Sequence, residues 1–306
     1  MENMTALVSA FARAYHYRNS SVHVFADPIA ERMLTEEEYD GISRHMAQGI
    51  SWFAPEFRGS PEAALRFIVD HQLAPSVLAR SAFCERAIGS AMKAGVGQIV
   101  VYGCGYDTFS LRAGDARLRV FELDRPEIIG DRRRRIARSH LTAACRAELI
   151  GCDLALPGWE SALTGAGYDP SKPSFSSLLG ISYYLSKEDF SRLIETVSSI
   201  CCEGSSVCFD YPLSEGGTES RRNRDLAAAA GERMKAEYRR EELGPLLSAA
   251  GFRLCEHVNA AEATAAFFRE YNRGNPDRVM AAPEGVGYCL AVKGQRDGRD
   301  QSAEGA

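Results

Sequence analysis

Two glycines and two acidic residues are spaced in this sequence as they are in sites that hold an adenosine group. Gly103 and Gly105 follow an apolar run in IVVYGCGYDTF, and glycines there let the backbone turn sharply beside a ligand. Asp124 ends the next apolar run, about 20 residues further on, where an acid binds a ribose diol. A third run ends in Asp153 and Leu154, which could accept a hydrogen bond from an adenine amino group and pack against its ring.

The acid in the loop helps to distinguish between ligands. Asp107 lies near the place where a dinucleotide site has its third glycine, and a carboxylate there would repel a pyrophosphate. S-adenosylmethionine has no phosphate and carries an ammonium, a sulfonium and a carboxylate. The pattern therefore favours S-adenosylmethionine. A nicotinamide-dependent oxidoreductase stays open as an alternative, as does a cofactor-binding scaffold without catalysis.

The elements that must position these residues alternate along the second part of the chain. Seven strands are predicted at 98–102, 118–123, 147–152, 175–182, 205–211, 252–257 and 286–292, with helices at 127–139, 187–200 and 239–250. This alternation indicates a parallel sheet covered on both faces. The first 95 residues read as helices, at 4–18, 29–34 and 62–94, the last broken near Pro75. We therefore predict a helical cap or lid (1–95), a cofactor-binding α/β domain (96–294) and a disordered tail (295–306).

Composition narrows the class of protein. The chain has 306 residues and a net charge of −5, which gives no general attraction to nucleic acid or anionic lipid. Nine cysteines without a C-x-x-C pair are read as reduced thiols, and with no signal peptide or long apolar run we expect a cytoplasmic protein without a membrane partner. The six histidines lack metal-ligand spacing, so no metal site is expected. Oligomeric state is left open.

Seven segments give the chain a family resemblance: TALVSAFARAYH, FADPIAERML, VLARSAFCERAI, VYGCGYDTFSLR, VFELDRPEII, GCDL and LLGISYYLS. In this order, over roughly residues 5–215, they resemble the leucine carboxyl methyltransferase family. The closest branch is the bacterial one, with its tetracenomycin-type polyketide carboxyl O-methyltransferases. The resemblance implies a class I methyltransferase Rossmann-like fold, whose seven-stranded, mostly parallel sheet has an antiparallel last strand. It also implies S-adenosyl-L-methionine as cofactor.

The resemblance assigns roles residue by residue. The arginine of the ARS segment, Arg80, would bind the methionine carboxylate. The remaining candidate cofactor residues are Gly103, Cys104, Gly105, Asp107, Asp124, Arg125, Asp153, Leu154 and Leu179. The eukaryotic branch has a glutamate at the position of Leu179, whereas bacterial members often have an apolar residue there. Glu122 is predicted to face away from the ligand, because alternate strand residues point to opposite faces.

The acceptor is predicted to be a small, secondary-metabolite-like molecule methylated on a carboxylate; a hydroxyl acceptor is the alternative. A carboxylate needs no general base, whereas a hydroxyl would need one. Candidate catalytic residues are Tyr184, His16 and Asp210, and candidate substrate contacts are Tyr15, Arg18, Tyr183 and Tyr211. The basic run DRRRRIAR is read as a solvated helix face. Residues 1–22 are predicted to be mobile until ligands bind.

Overall fold

A seven-stranded sheet forms the centre of the protein in the computed structural model, which describes residues 4–214 and 233–294. Its strands are β1 (Gln98–Tyr102), β2 (Arg119–Asp124), β3 (Arg146–Gly151), β4 (Ser174–Leu178), β5 (Ser206–Pro212), β6 (Phe252–Val258) and β7 (Val286–Lys293). Their order is β3-β2-β1-β4-β5-β7-β6. β7 runs antiparallel to both β5 and β6, and the remaining pairs are parallel. The predicted fold class is confirmed.

The order of the strands places a crevice beside β1. The chain runs outward from β1 to β2 and β3, then returns to β4 on the other side of β1. Ligands of open α/β sheets bind at such a switch point, outside the carboxyl ends of the strands. Gly103 follows β1 directly, and Asp124 is the last residue of β2.

Helices cover both faces of the sheet. The α-helices are α1 (Met4–Asn19), α2 (Glu36–Gln48), α3 (Ile50–Phe53), α4 (Pro61–Ile68), α5 (Ala74–Lys93), α6 (Phe109–Arg112), α7 (Pro126–Arg138), α8 (Trp159–Gly165), α9 (Lys187–Ser199), α10 (Arg240–Ala249), α11 (Ala260–Ala263) and α12 (Arg269–Gly274). Short 3-10 turns lie at Ala30–Met33 and Pro276–Arg278, and π-helical turns at Val69–Leu73 and Thr264–Phe268. Among the described residues, no helix is both long and apolar enough to cross a membrane.

Most predicted boundaries lie within one residue of those in the structure. The break expected near Pro75 is present as the π-helical turn Val69–Leu73 between α4 and α5, and Pro75 itself lies in the first turn of α5, where its missing N–H breaks no helical hydrogen bond. The strand expected at 175–182 ends at Leu178, because Gly180 turns the chain with a φ of +71°. That turn brings the segment after β4 over the carboxyl ends of the strands.

The core is divided by the sheet. Phe11 of α1, Phe83 of α5 and Phe175 of β4 belong to one buried cluster, whereas Phe190 and Phe209 belong to the cluster on the other side. The N-terminal helices thus share a core with the sheet, and the division at residue 95 stays a prediction. The predicted tail, 295–306, lies outside the described residues.

Candidate active site

The carboxyl ends of four strands bring together most of the predicted cofactor residues. Gly103 and Gly105 follow β1, Asp124 ends β2, Leu179 follows β4, and Asp210 lies near the end of β5. Parallel strands direct these ends to one edge of the sheet, and α5 adds Arg80 from above.

The turn after β1 requires glycine at two positions. Gly103 has a φ of +60° and Gly105 a φ of +47°, which side-chain-bearing residues rarely adopt. A Cβ on Gly103 would lie 3.1 Å from Ile181, and a Cβ on Gly105 would lie 3.1 Å from the Cβ of Ala6. Because Ala6 belongs to α1, this helix lies directly over the turn.

Buried arginines bind the carbonyl groups of the turn. Nη1 of Arg132 donates to the carbonyl oxygens of Gly105 (3.3 Å) and Asp107 (2.5 Å). Nη2 of Arg13 donates to the carbonyl oxygen of Tyr106, at 2.8 Å. Three consecutive carbonyl groups are therefore held by two side chains from α7 and α1.

The prediction that DRRRRIAR forms a solvated face was wrong for two of its arginines. Arg132 and Arg135 are buried, because α7 turns residues three positions apart toward the core. Arg132 forms a buried ion pair with Glu122, at 2.6 Å. Arg135 donates to Glu38 (2.6 and 2.7 Å) and thereby ties α7 to α2. The other arginines of the run, at 133, 134 and 138, are exposed.

Asp124 retains room to bind a ligand. Its Oδ2 accepts the N–H of Gly105 (2.7 Å) and its Oδ1 accepts the N–H of Arg125 (2.8 Å). Burial raises the pKa of this carboxyl group, against the lowering effect of the two N–H donors. A carboxylate offers about four acceptor positions, so two remain for the hydroxyl groups of a diol. The side chain of Arg125 is exposed and lies 3.6 Å from Glu127.

Arg80 is largely buried, although an arginine in a helix of mixed charge could equally lie at the surface. Its side chain is 17% exposed. Nη2 donates to Oγ of Ser9 at 3.2 Å, and Nη1 lies 3.7 Å from Oδ2 of Asp210. A Cβ on Gly180 would lie 2.9 Å from Nη1. The guanidinium group is thus enclosed by α1, β5 and the turn after β4.

Asp210 and Tyr183 form one contact beside Arg80. The carboxylate of Asp210 is fully buried and accepts the N–H of Gly180 (2.6 Å) and the hydroxyl of Tyr183 (3.0 Å). Both oxygens are engaged, although Asp210 was predicted as a candidate base. Tyr184 is half-buried, and its ring centroid lies 6.3 Å from that of Tyr183.

The remaining predicted cofactor residues have different surroundings. Asp107 and Leu179 border a cavity of about 20 Å³, enough for about one water molecule. Cys104 is buried, and burial raises the pKa of its thiol well above the usual value. Leu154 packs against the second hydrophobic cluster. Asp153 is exposed, and its Oδ1 accepts the N–H of Ala155 at 2.9 Å.

The structure places His16 in the core rather than at an open surface. The residue is 1% exposed, and its Nε2 accepts the N–H of Val24 at 3.0 Å. Burial lowers its pKa to about 3, with further lowering by His23 and Arg278. A ring nitrogen that is occupied in this way is poorly placed to act as a general base. Tyr15 is also buried, against Phe11, and burial raises the pKa of its hydroxyl.

Two predicted substrate contacts are not brought to the cleft. Arg18 lies about 13 Å along α1 from Ser9, and its exposed side chain pairs with Glu31 at 3.1 Å. Tyr211 follows Asp210 in β5, so its side chain points to the other face of the sheet. There its hydroxyl lies 2.7 Å from Nε2 of His257.

Comparison with known proteins decides the family. The model of the family described as leucine carboxyl methyltransferase matches residues 6–198. A Bacillus subtilis (strain 168) protein, YktD, provisionally named an S-adenosyl-L-methionine-dependent methyltransferase, is 33% identical over 95% of this chain and 98% of its own length. The chain belongs to the leucine carboxyl methyltransferase family.

Solved structures agree with this family in fold. A DUF574 family protein from Streptomyces avermitilis has a TM-score of 0.56 at 16% identity, over 93% of this chain and 97% of its own. A protein from Thermobifida fusca, titled provisionally as a methyltransferase, has a TM-score of 0.55 at 18% identity, over 83% and 95%. At these identities the likeness concerns the fold alone.

One buried group in this family member was missed by the sequence analysis, which gave no role to the aspartate of FADPIAERML. The side chain of Asp27 is fully buried and accepts Nε of Arg13 (2.8 Å), Oγ1 of Thr108 (2.7 Å) and the N–H of Ala30 (3.0 Å). Burial raises its pKa, but Arg13 and Arg112 outweigh burial and lower it. The available signal was Arg13 itself, a charged residue among the apolar positions of α1. Asp27 joins α1 to the loop after the glycine turn.

Metal ligation has no candidate among residues 4–214 and 233–294. No group of three or more His, Cys, Asp or Glu side chains is arranged there to hold an ion.

Proposed function

We propose that this chain transfers the methyl group of S-adenosyl-L-methionine to a carboxylate oxygen of a small organic molecule and forms a methyl ester. The general part of this proposal follows from the family: the chain is an S-adenosyl-L-methionine-dependent methyltransferase. The carboxylate acceptor, its secondary-metabolite character and a cytoplasmic location are the parts that we propose.

The residues of the cleft fit this cofactor. The partly exposed guanidinium group of Arg80 at one end suits a carboxylate, because its planar fork can bind both oxygens. Asp124 at the other end has acceptor positions left for a ribose diol. The turn after β1 has glycine at two positions, so no side chain projects from it there. A diphosphate at the glycine turn would instead meet Asp107, which borders the small cavity, so a dinucleotide fits less well.

The cofactor supplies a methyl group that its sulfonium has already activated for displacement. The protein then contributes alignment, which can account for about 7–11 kcal/mol of the barrier. Arg80 and Asp124 are placed to fix the two ends of the cofactor, while α1 covers the turn through Ala6 and contacts Arg80 through Ser9. Covering the site excludes water and strengthens the electrostatic interactions within it.

One observation favours a carboxylate over a hydroxyl acceptor: His16 and Asp210, the candidate bases, are both enclosed by the protein. His16 has its Nε2 occupied and a pKa of about 3, and the carboxylate of Asp210 is fully buried against Gly180 and Tyr183. A carboxylate is ionised at neutral pH and can attack without a base, whereas a phenol or alcohol needs one. The family resemblance supports the same choice.

An acceptor screen tests the proposal. Pure protein is incubated with radiolabelled S-adenosyl-L-methionine and paired compounds that differ only in carrying a free carboxylate or its amide. We expect label only with the carboxylates, in a product that mild alkali hydrolyses. An alkali-stable product, formed at a rate that falls between about pH 7 and pH 6, would indicate an ether formed with a histidine base instead. Calorimetry with S-adenosylhomocysteine and NAD separates the methyltransferase from the oxidoreductase alternative.

A further inference from the structure

We propose that Asp210 is a positioning residue that holds the guanidinium group of Arg80 in the orientation that binds the amino-acid end of the cofactor. The inference rests on the proposed function, since it takes S-adenosyl-L-methionine as the ligand of the cleft. In this proposal Asp210 acts in cofactor binding, whereas the sequence analysis made it a candidate for proton transfer.

The buried carboxylate of Asp210 contacts three neighbouring groups. Its side chain is fully buried near the end of β5. Oδ1 accepts the N–H of Gly180 at 2.6 Å, and Oδ2 accepts the hydroxyl of Tyr183 at 3.0 Å and lies 3.7 Å from Nη1 of Arg80. Donors from the turn after β4 and from α5 therefore converge on one carboxylate.

Arg80 is confined on three sides by these same elements. Ser9 accepts from Nη2 at 3.2 Å, Asp210 faces Nη1, and a Cβ on Gly180 would come within 2.9 Å of Nη1. A cation that is largely removed from water in this way is costly without a counter-charge. The nearby carboxylate of Asp210 supplies that charge.

Asp210 also fixes the backbone beside the cofactor. The N–H that it accepts belongs to the peptide between Leu179 and Gly180. A trans peptide is planar, with its N–H and C=O groups pointing in opposite directions, so the carbonyl of Leu179 is directed away from Asp210. The carboxylate of Asp210 thus orients both the guanidinium group of Arg80 and the carbonyl oxygen of Leu179. This pair suits a ligand end that carries a carboxylate and an ammonium group.

Whether Asp210→Asn strengthens or weakens ligand binding depends on the charge of that ligand end. The amino-acid end of the cofactor is a zwitterion with no net charge, so removing the charge of Asp210 does not by itself favour binding. The loss of orientation at Arg80 and at the Leu179 carbonyl remains. Ligands with the amino-acid end should therefore bind more weakly to Asp210→Asn, and ligands without it should be unaffected.

Two ligands test this difference by calorimetry on the full chain. S-adenosylhomocysteine carries the amino-acid end, and 5′-methylthioadenosine lacks it. We expect the wild type to bind S-adenosylhomocysteine more tightly than 5′-methylthioadenosine. Asp210→Asn should weaken the binding of S-adenosylhomocysteine by about 10- to 100-fold and leave the binding of 5′-methylthioadenosine unchanged. Ser182→Ala is the matched control. It removes a buried hydroxyl that donates to the backbone carbonyl of Asp210 (2.8 Å) and leaves the carboxylate in place, so both ligands should bind as in the wild type.

Each other outcome has a definite meaning. Equally weakened binding of both ligands would indicate that Asp210 only supports the fold. Unchanged binding of S-adenosylhomocysteine would also overturn the proposal. A wild type that binds neither ligand would refute the proposed function itself, and the inference with it. If Asp210→Asn does not fold, Asp210→Ser is measured, with the same expected loss. In an Arg80→Lys background, substituting Asp210 should cost less affinity than in the wild type, because its guanidinium partner is already absent and only the effect on the Leu179 carbonyl remains; a full additional loss would contradict action through Arg80.

Discussion

The buried histidine of α1 gives the structure a pH dependence that can be measured. The folded protein keeps His16 neutral, with its pKa lowered to about 3 by burial, whereas in the unfolded chain it takes up a proton below about pH 6.5. Below that pH the unfolded state therefore binds more protons, and stability falls as the pH drops toward 3. His16→Gln removes this titration and keeps an oxygen that can accept the N–H of Val24.

The size of the effect follows from the two pKa values. Between about pH 7.5 and pH 5, His16 should lower the free energy of unfolding of the wild type by about 2 kcal/mol. All other titrating groups are shared with His16→Gln, so they cancel when the two proteins are compared. Urea unfolding at both pH values, followed by circular dichroism, should show the wild type losing about 2 kcal/mol more than the variant.

Parallel losses in the two proteins would refute this reasoning, because they would mean that His16 titrates in the folded state as it does in the unfolded chain. Turnover gives an independent check. Loss of a general base typically costs about 10²- to 10⁴-fold in rate. We expect His16→Gln to retain most of the wild-type turnover rate at neutral pH. A loss of about 10²- to 10⁴-fold would indicate that His16 acts as a general base after all.

Three further predictions concern buried charges. Arg80→Lys should raise the dissociation constant for S-adenosylhomocysteine by about 10-fold, with circular dichroism unchanged; equal affinity would make Arg80 a residue of the fold alone. Asp124→Asn should weaken the same ligand by about 1.5–3 kcal/mol in calorimetry, whereas Asp115→Asn, in an exposed loop, should not, and a similar loss in both would argue against a ribose contact. Glu122→Gln leaves Arg132 without its counter-charge and should lower the free energy of unfolding by about 3–5 kcal/mol; a loss in urea unfolding below about 1 kcal/mol would show that the pair is dispensable.

The sheet could be predicted from the sequence because its central strands are buried on both faces. Strands such as β1 and β5 then read as short, largely apolar runs between polar turns. The cofactor turn was also predictable, since Gly103, Gly105 and Asp124 depend on local spacing within one strand–helix–strand unit. For these residues, distance along the chain largely determines distance in space.

The contacts around the site could not be predicted in the same way. Arg13 and the carbonyl of Tyr106 are 93 positions apart, and Arg80 reaches Asp210 from another helix. Spacing does not reveal such pairs, so Asp27 received no role and Arg132 was read as a solvated residue. Tyr211 was misplaced for a simpler reason: neighbouring strand residues face opposite sides, and the sequence alone did not show which side faced the cleft.

The arginines that bind the carbonyl groups of residues 105–107 have a consequence for the thermodynamics of binding. A glycine-rich loop that ordered only on contact with its ligand would lose about 1–2 kcal/mol of conformational entropy per residue at that moment. Here Arg13 and Arg132 impose that order when the chain folds. The free energy of ligand contact at this loop is therefore available for affinity rather than for ordering the chain. Removing either arginine should shift that entropic penalty from folding to binding, without altering any atom that touches the ligand.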